Sequence, residues 1–266
     1  MKKLLMAATF VVTMCIISMP AHAQFGKLNK KHLEAATKGV KALTLSDADM
    51  AQYCEEYVQW LDEHNPLCSV NDTDAGKKAV AERLAKIVEQ LPYKQVNGMN
   101  LDIQAYYVVD INAFACANGT IRVFAGLMEV MTDDEILAVI GHEIGHVANR
   151  DSKDAFKTAL LTSALKDAVA STSGQAQALT ESQLGSLSEA LTNAQFSQKQ
   201  ENAADKYGYE FLKECGKDPK NMASSLGVLL KLQQEAGGGE DSRFNKLFST
   251  HPDLDKRIAN LEKMKG

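Results

Sequence analysis

The residues of this 266-residue chain best suited to chemistry are two histidines and a glutamate in the segment VIGHEIGHV, residues 139–147. On a helix, residues four apart lie one above the other, so the imidazoles of His142 and His146 can reach one metal ion. Glu143 then projects beside them, toward a water molecule held by that ion. Zinc is the usual occupant, so the pattern predicts one Zn²⁺ per chain and hydrolytic chemistry. The alternative interpretation is a pair of ordinary helix histidines.

A hydrolytic zinc site needs a third protein ligand, and a second segment offers one. Glu201 opens the sequence ENAAD, 55 residues after His146 and inside a predicted helix. Its carboxylate can bind metal, and Asp205, one turn later, can accept a hydrogen bond from a ligating imidazole. Taken alone, such an acidic pair indicates a solvated helix face. Beside a zinc helix, the pair is better explained as a ligand and its support.

The elements that must position these residues are mostly helical. Thr132 and Glu135 form a capping box before a helix predicted over about 133–150. Other helices are predicted near 46–62, 73–91, 153–170, 181–213, 220–235 and 253–264. Between Ile103 and Phe124 the apolar pattern changes to short β-rich runs, which predict about three strands, the last two as a hairpin. The fold class expected is α+β, with a small sheet beside the histidine helix.

The N-terminus has the pattern of a secretory signal peptide. Lys2 and Lys3 precede an apolar run over residues 4–19, and Ala21-His22-Ala23 supplies the small residues of a cleavage site. We expect cleavage after Ala23, which leaves residues 24–266 as a single domain with an N-terminal helical extension. An uncleaved membrane anchor is the alternative. The expected location is the periplasm, with peripheral association with the outer membrane left open.

Four cysteines remain in the expected mature chain: Cys54, Cys68, Cys116 and Cys215. In an exported protein they permit two disulfides with three connectivities. The bridge expected first is Cys54–Cys68, because the two residues flank a short polar turn. Cys116 lies in an apolar stretch, where a buried thiol is equally consistent with its surroundings.

Charge and hydropathy exclude several other classes of protein. The formal net charge of −5 argues against nucleic acid as the main partner. The chain is 45% hydrophobic and 24% charged, which predicts a packed core rather than a disordered chain. After the signal peptide, no apolar run reaches the length of a membrane span, so no integral membrane segment is expected.

The motifs together resemble peptidase family M48, the gluzincin group that includes HtpX, the Oma-type mitochondrial protease and the CAAX prenyl proteases. The resemblance rests on the HExGH and ExxAD segments, and on Thr250-His251-Pro252 with Arg257-Ile258. It extends through NAFA at 112–115, NGTIRVFAGLM at 118–128 and QFSQ at 195–198, and spans roughly residues 45–264. The chain is most similar to the soluble envelope members of LoiP type.

This resemblance implies a zincin-like fold and a role for each candidate residue. His142, His146 and Glu201 would be the zinc ligands, Glu143 the general base, and Asp205 the support of a ligand.

The resemblance also implies a role for His251, which would either stabilise the oxyanion or cover the metal in a closed state. Arg257 would pair with substrate or with an acidic neighbour, and Asn112 would support the site. The strand Thr120–Phe124 would be an edge onto which an extended peptide adds.

The function expected is a zinc-dependent metalloendopeptidase that acts on misfolded cell-envelope proteins. An activated water would attack the peptide bond, with Glu143 as the base. The alternative is a zinc-containing chaperone or assembly factor whose site is covered and largely inactive.

Overall fold

The fold is described from a computed structural model over residues 47–161, 178–235 and 250–264; the predicted signal peptide lies outside these ranges. The helices are α1 (Asp47–His64), α2 (Ala75–Val88), α3 (Ala125–Val130), α4 (Asp133–Ala148), α5 (Asp151–Leu160), α6 (Glu181–Thr192), α7 (Gln198–Glu214), α8 (Asn221–Glu235) and α9 (Leu254–Leu261). The strands are β1 (Gln95–Val96), β2 (Met99–Asn100), β3 (Asp102–Tyr106), β4 (Ala113–Ala115) and β5 (Thr120–Phe124). The mostly helical α+β fold is confirmed.

The three-stranded sheet has the order β3-β5-β4. Strand β5 pairs with β3 in parallel and with β4 as the predicted antiparallel hairpin. All five residues of β5 are buried. The prediction that Thr120–Phe124 forms an edge is therefore wrong, because both sides of that strand are occupied by neighbours. Strand β4 lies at the edge of the sheet instead.

Helix α4 begins where the capping box predicts. The Thr132 side chain accepts a hydrogen bond from the Glu135 backbone N–H, and the Glu135 carboxylate accepts one from the Thr132 backbone N–H. This reciprocal pairing satisfies N–H groups that a helix start leaves without partners. From Glu135 to Val147 every residue of α4 is buried, so this helix lies in the core of the described fold.

Helix α7 packs closely on α4 because glycines stand at the contact. A Cβ atom at Gly141 would lie 2.5 Å from Cδ1 of Phe211, and one at Gly145 would lie 3.0 Å from Cα of Ala204. Both distances are shorter than ordinary carbon contacts. The glycines on either side of the His142–Glu143 pair thus let α7 bring its acidic residues against the histidines.

The single helix predicted over 181–213 is in fact two helices, α6 and α7. Helix α6 ends with Asn193 as its C-cap, and Ser197 starts α7 through a capping box with Gln200. The sequence pattern of apolar residues continues across this break, which is why periodicity alone predicts one helix. The helix predicted near 153–170 begins at Asp151 and ends at Leu160, with Leu161 as its C-cap, and the remaining predicted residues, 162–170, lie outside the described residues.

Helix α1 is held to the sheet by a buried ion pair. Arg122 on β5 is 1% exposed, and its Nε and Nη2 donate to the Asp62 carboxylate at 3.0 and 2.9 Å. The Tyr106 hydroxyl donates to the same carboxylate. A bidentate guanidinium–carboxylate contact fixes direction as well as distance. The Arg122–Asp62 contact therefore holds α1 beside the strands of the sheet.

The described cysteines are free thiols, so the Cys54–Cys68 bridge expected from the sequence is not formed. Cys54 lies in one apolar cluster, with α1, α5 and α6, and Cys68 in another, with α2, α4 and α7. Proximity in sequence was the basis of that prediction, and the fold directs the two side chains into different cores.

Within the described ranges, every helix is too short or too polar to cross a lipid bilayer.

Candidate metal centre

Four side chains from three parts of the chain converge at one point. His142 and His146 come from α4, Glu201 from α7, and His251 from the segment just before α9. Each of the four residues offers one possible ligand atom, and these four atoms all lie within 4.8 Å of one another. All four residues are buried. The distance between the two Nε2 atoms of His142 and His146 is 3.1 Å, and Oε1 of Glu201 lies 3.4 Å from Nε2 of His146.

The contacts of the outer ring nitrogens of His142 and His146 determine which nitrogen of each imidazole faces the candidate metal position. Nδ1 of His142 lies 2.9 Å from the Asp205 carboxylate, and Nδ1 of His146 lies 3.0 Å from that of Asp151. A carboxylate only accepts, so each Nδ1 carries the hydrogen, and a ring in the neutral state presents its Nε2 lone pair to the centre. Two such lone pairs 3.1 Å apart beside a buried carboxylate repel unless a proton or a metal ion lies between them. The donor set therefore fits a divalent metal.

Asp205 makes the contact that the sequence predicts, and Asp151 is a partner that sequence reasoning missed. Asp151 is the first residue of α5, reached through Arg150 in the left-handed region at φ 67°. This sharp turn at the end of α4 returns the carboxylate to His146, five residues back. Gln200 donates to the other oxygen of Asp151 at 3.0 Å and holds it in place.

Arg257 lies against acidic neighbours, which is one of the two alternatives left by the sequence. Its Nε and Nη2 donate to the Asp205 carboxylate at 2.8 and 2.6 Å, and its Nη1 lies 2.5 Å from Oε2 of Glu201. The guanidinium is buried at the back of the cluster. It balances the charge of two carboxylates and holds both against the histidines.

The charge states of the cluster follow from burial and from these contacts. Burial lowers the pKa of His142, which keeps this ring neutral. Burial acts to raise the pKa of Glu201, but the charge of His251 and the hydrogen bonds with His146 and His251 outweigh it and hold the pKa well below its ordinary value. Burial acts to lower the pKa of His146, but hydrogen bonds to Asp151 and Glu201 raise it to about 9. A metal ion would displace the proton there.

His251 stands among the candidate ligands rather than outside them. Its Nδ1 lies 3.0 Å from Oε1 of Glu201 and 3.4 Å from Nε2 of His142. Phe196, from the loop between α6 and α7, stacks on the His146 ring, and its backbone N–H donates to the Thr250 carbonyl. The segments that carry Phe196 and His251 thus meet over the histidine pair and close it from solvent.

Glu143 borders an apolar cleft of about 300 Å³. His251 lies at the same border, and Asn112 lines the wall formed by β4. Six aromatic rings also contribute to the lining: Tyr57, Trp60, Phe114, Phe124, Phe156 and Phe196. The cleft is large enough for one bulky apolar side chain next to the candidate base.

Fold and site together define a class of protein. A buried helix with two histidines, a second helix that supplies an acid, and a small sheet beside them constitute a zincin-like metal-dependent peptidase. The family model described as peptidase family M48 matches residues 75–265. The chain belongs to this family and is a metalloendopeptidase, whose substrates are peptides.

Known relatives agree with that assignment. The metalloprotease LoiP of Escherichia coli K12 is 38% identical over 229 residues, which cover 86% of this chain and 85% of the relative. The metalloprotease YcaL of the same organism is 35% identical over 229 residues, which again cover 86% of this chain and 85% of the relative. A protease HtpX homolog of Salinibacter ruber is 29% identical over 186 residues, or 58% of this chain and 64% of that protein. The resemblance to LoiP-type members is confirmed.

Proposed function

We propose that the protein is a zinc-dependent endopeptidase in which His142, His146 and Glu201 hold the metal and Glu143 is the general base. The observation that carries this proposal is the pair of inward-facing Nε2 atoms 3.1 Å apart beside the Glu201 carboxylate. Histidine nitrogens with one carboxylate are a common ligand set of catalytic zinc. Asp205 supports His142 from behind, and Arg257 fixes Asp205.

When bound there, zinc would polarise the scissile carbonyl and lower the pKa of attacking water toward about 7. Glu143 is next to His142 on α4 and borders the cleft, so its carboxylate can take a proton from that water. It then delivers the proton to the leaving amine. Burial of Glu143 at 3% exposure excludes competing water from this transfer.

We propose that the substrate backbone pairs with β4. This strand lies at the edge of the sheet, whereas Thr120–Phe124, the edge expected from the sequence, is the central strand. In an antiparallel ladder, alternate residues direct their N–H and C=O groups toward the partner strand. The Cys116 N–H donates to Thr120 and the Asn112 carbonyl accepts from Phe124, so even-numbered residues face β5. Ala113 and Ala115 therefore direct their backbone groups to the open side, where an extended peptide can add.

We propose that His251 closes the resting site. The resemblance left two roles for this residue, and its contacts with Glu201 and His142 support the covering role. As a fourth ligand it would exclude water until it withdraws. The same contacts favour the second candidate function, a chaperone or assembly factor with a permanently covered site.

The proposed location is the periplasm, after removal of residues 1–23, and the proposed substrates are misfolded envelope proteins. The apolar cleft supports this, because an unfolded chain exposes the bulky side chains that such a cleft accepts. The periplasm is a compartment in which disulfides form and persist.

The experiment compares Glu143→Gln with the wild type on unfolded casein, with zinc content measured in both. Loss of cleavage at about 10²-fold or more, with one zinc per chain retained, supports the peptidase. Undiminished protection of envelope proteins by the Gln variant in cells would favour the chaperone. Glu129→Gln, on an exposed residue of α3, is the matched control.

A further inference from the structure

Two thiols from distant parts of the sequence meet beside the cleft. Cys54 lies in the middle of α1, and Cys116 directly follows β4. The two side chains hydrogen-bond to each other, and both are buried in the same apolar cluster. We propose that Cys54 and Cys116 form a disulfide bond in the exported protein.

The surroundings select this pair among the three connectivities. Cys68 is buried in the other cluster, and Cys215, the C-cap of α7, packs against that same cluster. Two thiols already in hydrogen-bond contact need only small side-chain rotations to reach the bond length of a disulfide, whereas cysteines on different cores need backbone movement. Cys68 and Cys215 share a cluster, but neither thiol is among the groups that act on the pKa of the other, so we expect both to remain thiols.

The loop that carries Cys116 also holds the Cys54 sulfur. Besides Cys116 itself, the backbone of Asn118 and Ala117 hydrogen-bonds to it. The hydrogen bond from Cys116 is the main cause that lowers the pKa of Cys54, against the effect of burial. Cys54 is thus the thiol that ionises first, and thiolate is the form that attacks a disulfide.

The bond forms by two exchange steps with a protein disulfide that acts as the oxidant in the export compartment. The Cys54 thiolate attacks one sulfur of the oxidant's disulfide, which gives a mixed disulfide and releases one oxidant thiolate. The Cys116 thiolate then attacks the Cys54 sulfur and releases the second. The cysteines lose two electrons and two protons, and the oxidant's disulfide becomes a dithiol.

The bridge would join two walls of the cleft. Helix α1 contributes Tyr57 and Trp60 to the lining, and β4 with the residue that follows it contributes Phe114 and Cys116. A covalent link across 61 intervening residues restricts the unfolded chain strongly and fixes the separation of these walls. This role goes beyond the proposed function and does not need the metal.

The first test maps cysteines in the full-length Glu143→Gln chain, which cannot cleave itself by the proposed mechanism. The protein is purified once after export and once after equilibration in a glutathione buffer, then alkylated and digested without reductant. A linked Cys54–Cys116 peptide with alkylated Cys68 and Cys215 is the expected result. A Cys54–Cys68 peptide, or four alkylated cysteines in the glutathione sample, would overturn the proposal.

The second test measures thermal unfolding with and without dithiothreitol. Reduction should lower the midpoint by about 5–10 °C in the parent chain and in its Cys68→Ser/Cys215→Ser variant. The Cys54→Ser/Cys116→Ser variant should not respond. A response that persists in this last variant would contradict the assignment. Neither readout depends on peptidase activity, so failure of the bridge and failure of the catalytic proposal are distinguishable.

Discussion

Oδ2 of Asp151 lies 3.0 Å from Nδ1 of His146, and this contact mirrors the one between Asp205 and His142. Each imidazole is thereby held by a carboxylate on its outer nitrogen and faces the centre with the other. The two supports come from different helices, α5 and α7. Both rings are consequently oriented before any metal binds, and the buried carboxylates increase their basicity.

Replacement of Asp151 by Ala should weaken zinc binding by about 10- to 100-fold, because the His146 ring loses its orienting partner. Competition with a chromophoric chelator measures this affinity. Asp154→Ala, at an exposed position of the same helix, is the control and should leave the affinity unchanged. Equal affinities for the two variants would show that Asp151 does not orient the ligand.

Gly145→Val should separate α4 from α7, since a Cβ at this position lies 3.0 Å from Cα of Ala204 and from Cβ of Tyr207. Overpacking of this kind lowers the free energy of unfolding by about 1–3 kcal/mol. Zinc affinity should fall as well, because Glu201 and Asp205 move with α7. Chemical denaturation and chelator competition measure the two effects. Gly185→Val, where a Cβ meets nothing within 4 Å, should keep wild-type affinity.

His251→Ala should increase the rate of casein cleavage per zinc bound, because removal of this imidazole leaves room for water beside the remaining ligands. Zinc affinity should decrease at the same time, since one of four converging donors is lost. Cobalt substitution and absorption spectroscopy report the change in ligand number. A decrease in cleavage with affinity retained would instead assign His251 to oxyanion stabilisation.

Ala115→Pro should raise KM while leaving the sheet intact, because the N–H it removes points away from β5. Loss of one backbone hydrogen bond corresponds to about 0.5–1.5 kcal/mol, or roughly two- to twelvefold in kcat/KM. Phe114→Pro removes an N–H that faces β5 and should lower the thermal midpoint instead. A wild-type KM in the Ala115 variant would exclude β4 as the strand that pairs with substrate.

The sequence predicted those parts of the site that depend on local periodicity. The four-residue spacing of His142 and His146 and of Glu201 and Asp205 places each pair on one helix face, whatever the rest of the fold does. The capping box of Thr132 and Glu135 is equally local. These interactions need only a helix, and the two pairs lie on α4 and α7.

The parts that the sequence missed depend on contacts between distant segments or on a break in a helix. Asp151 reaches His146 only because Arg150 adopts a left-handed conformation, and arginine is not a residue that signals one. Strand β5 is central because β3 pairs with it in parallel, a long-range contact that strand propensity does not reveal. Cys116 likewise meets Cys54 through the tertiary fold alone.

The most direct test of the central claim is anomalous X-ray diffraction at the zinc edge from crystals of zinc-loaded protein. One strong peak is expected between Nε2 of His142, Nε2 of His146 and the Glu201 carboxylate, with one zinc per chain. The peak should vanish in Glu201→Ala crystals grown at the same zinc concentration. A peak elsewhere, or one that persists at full height without the Glu201 carboxylate, would contradict the proposed ligand set.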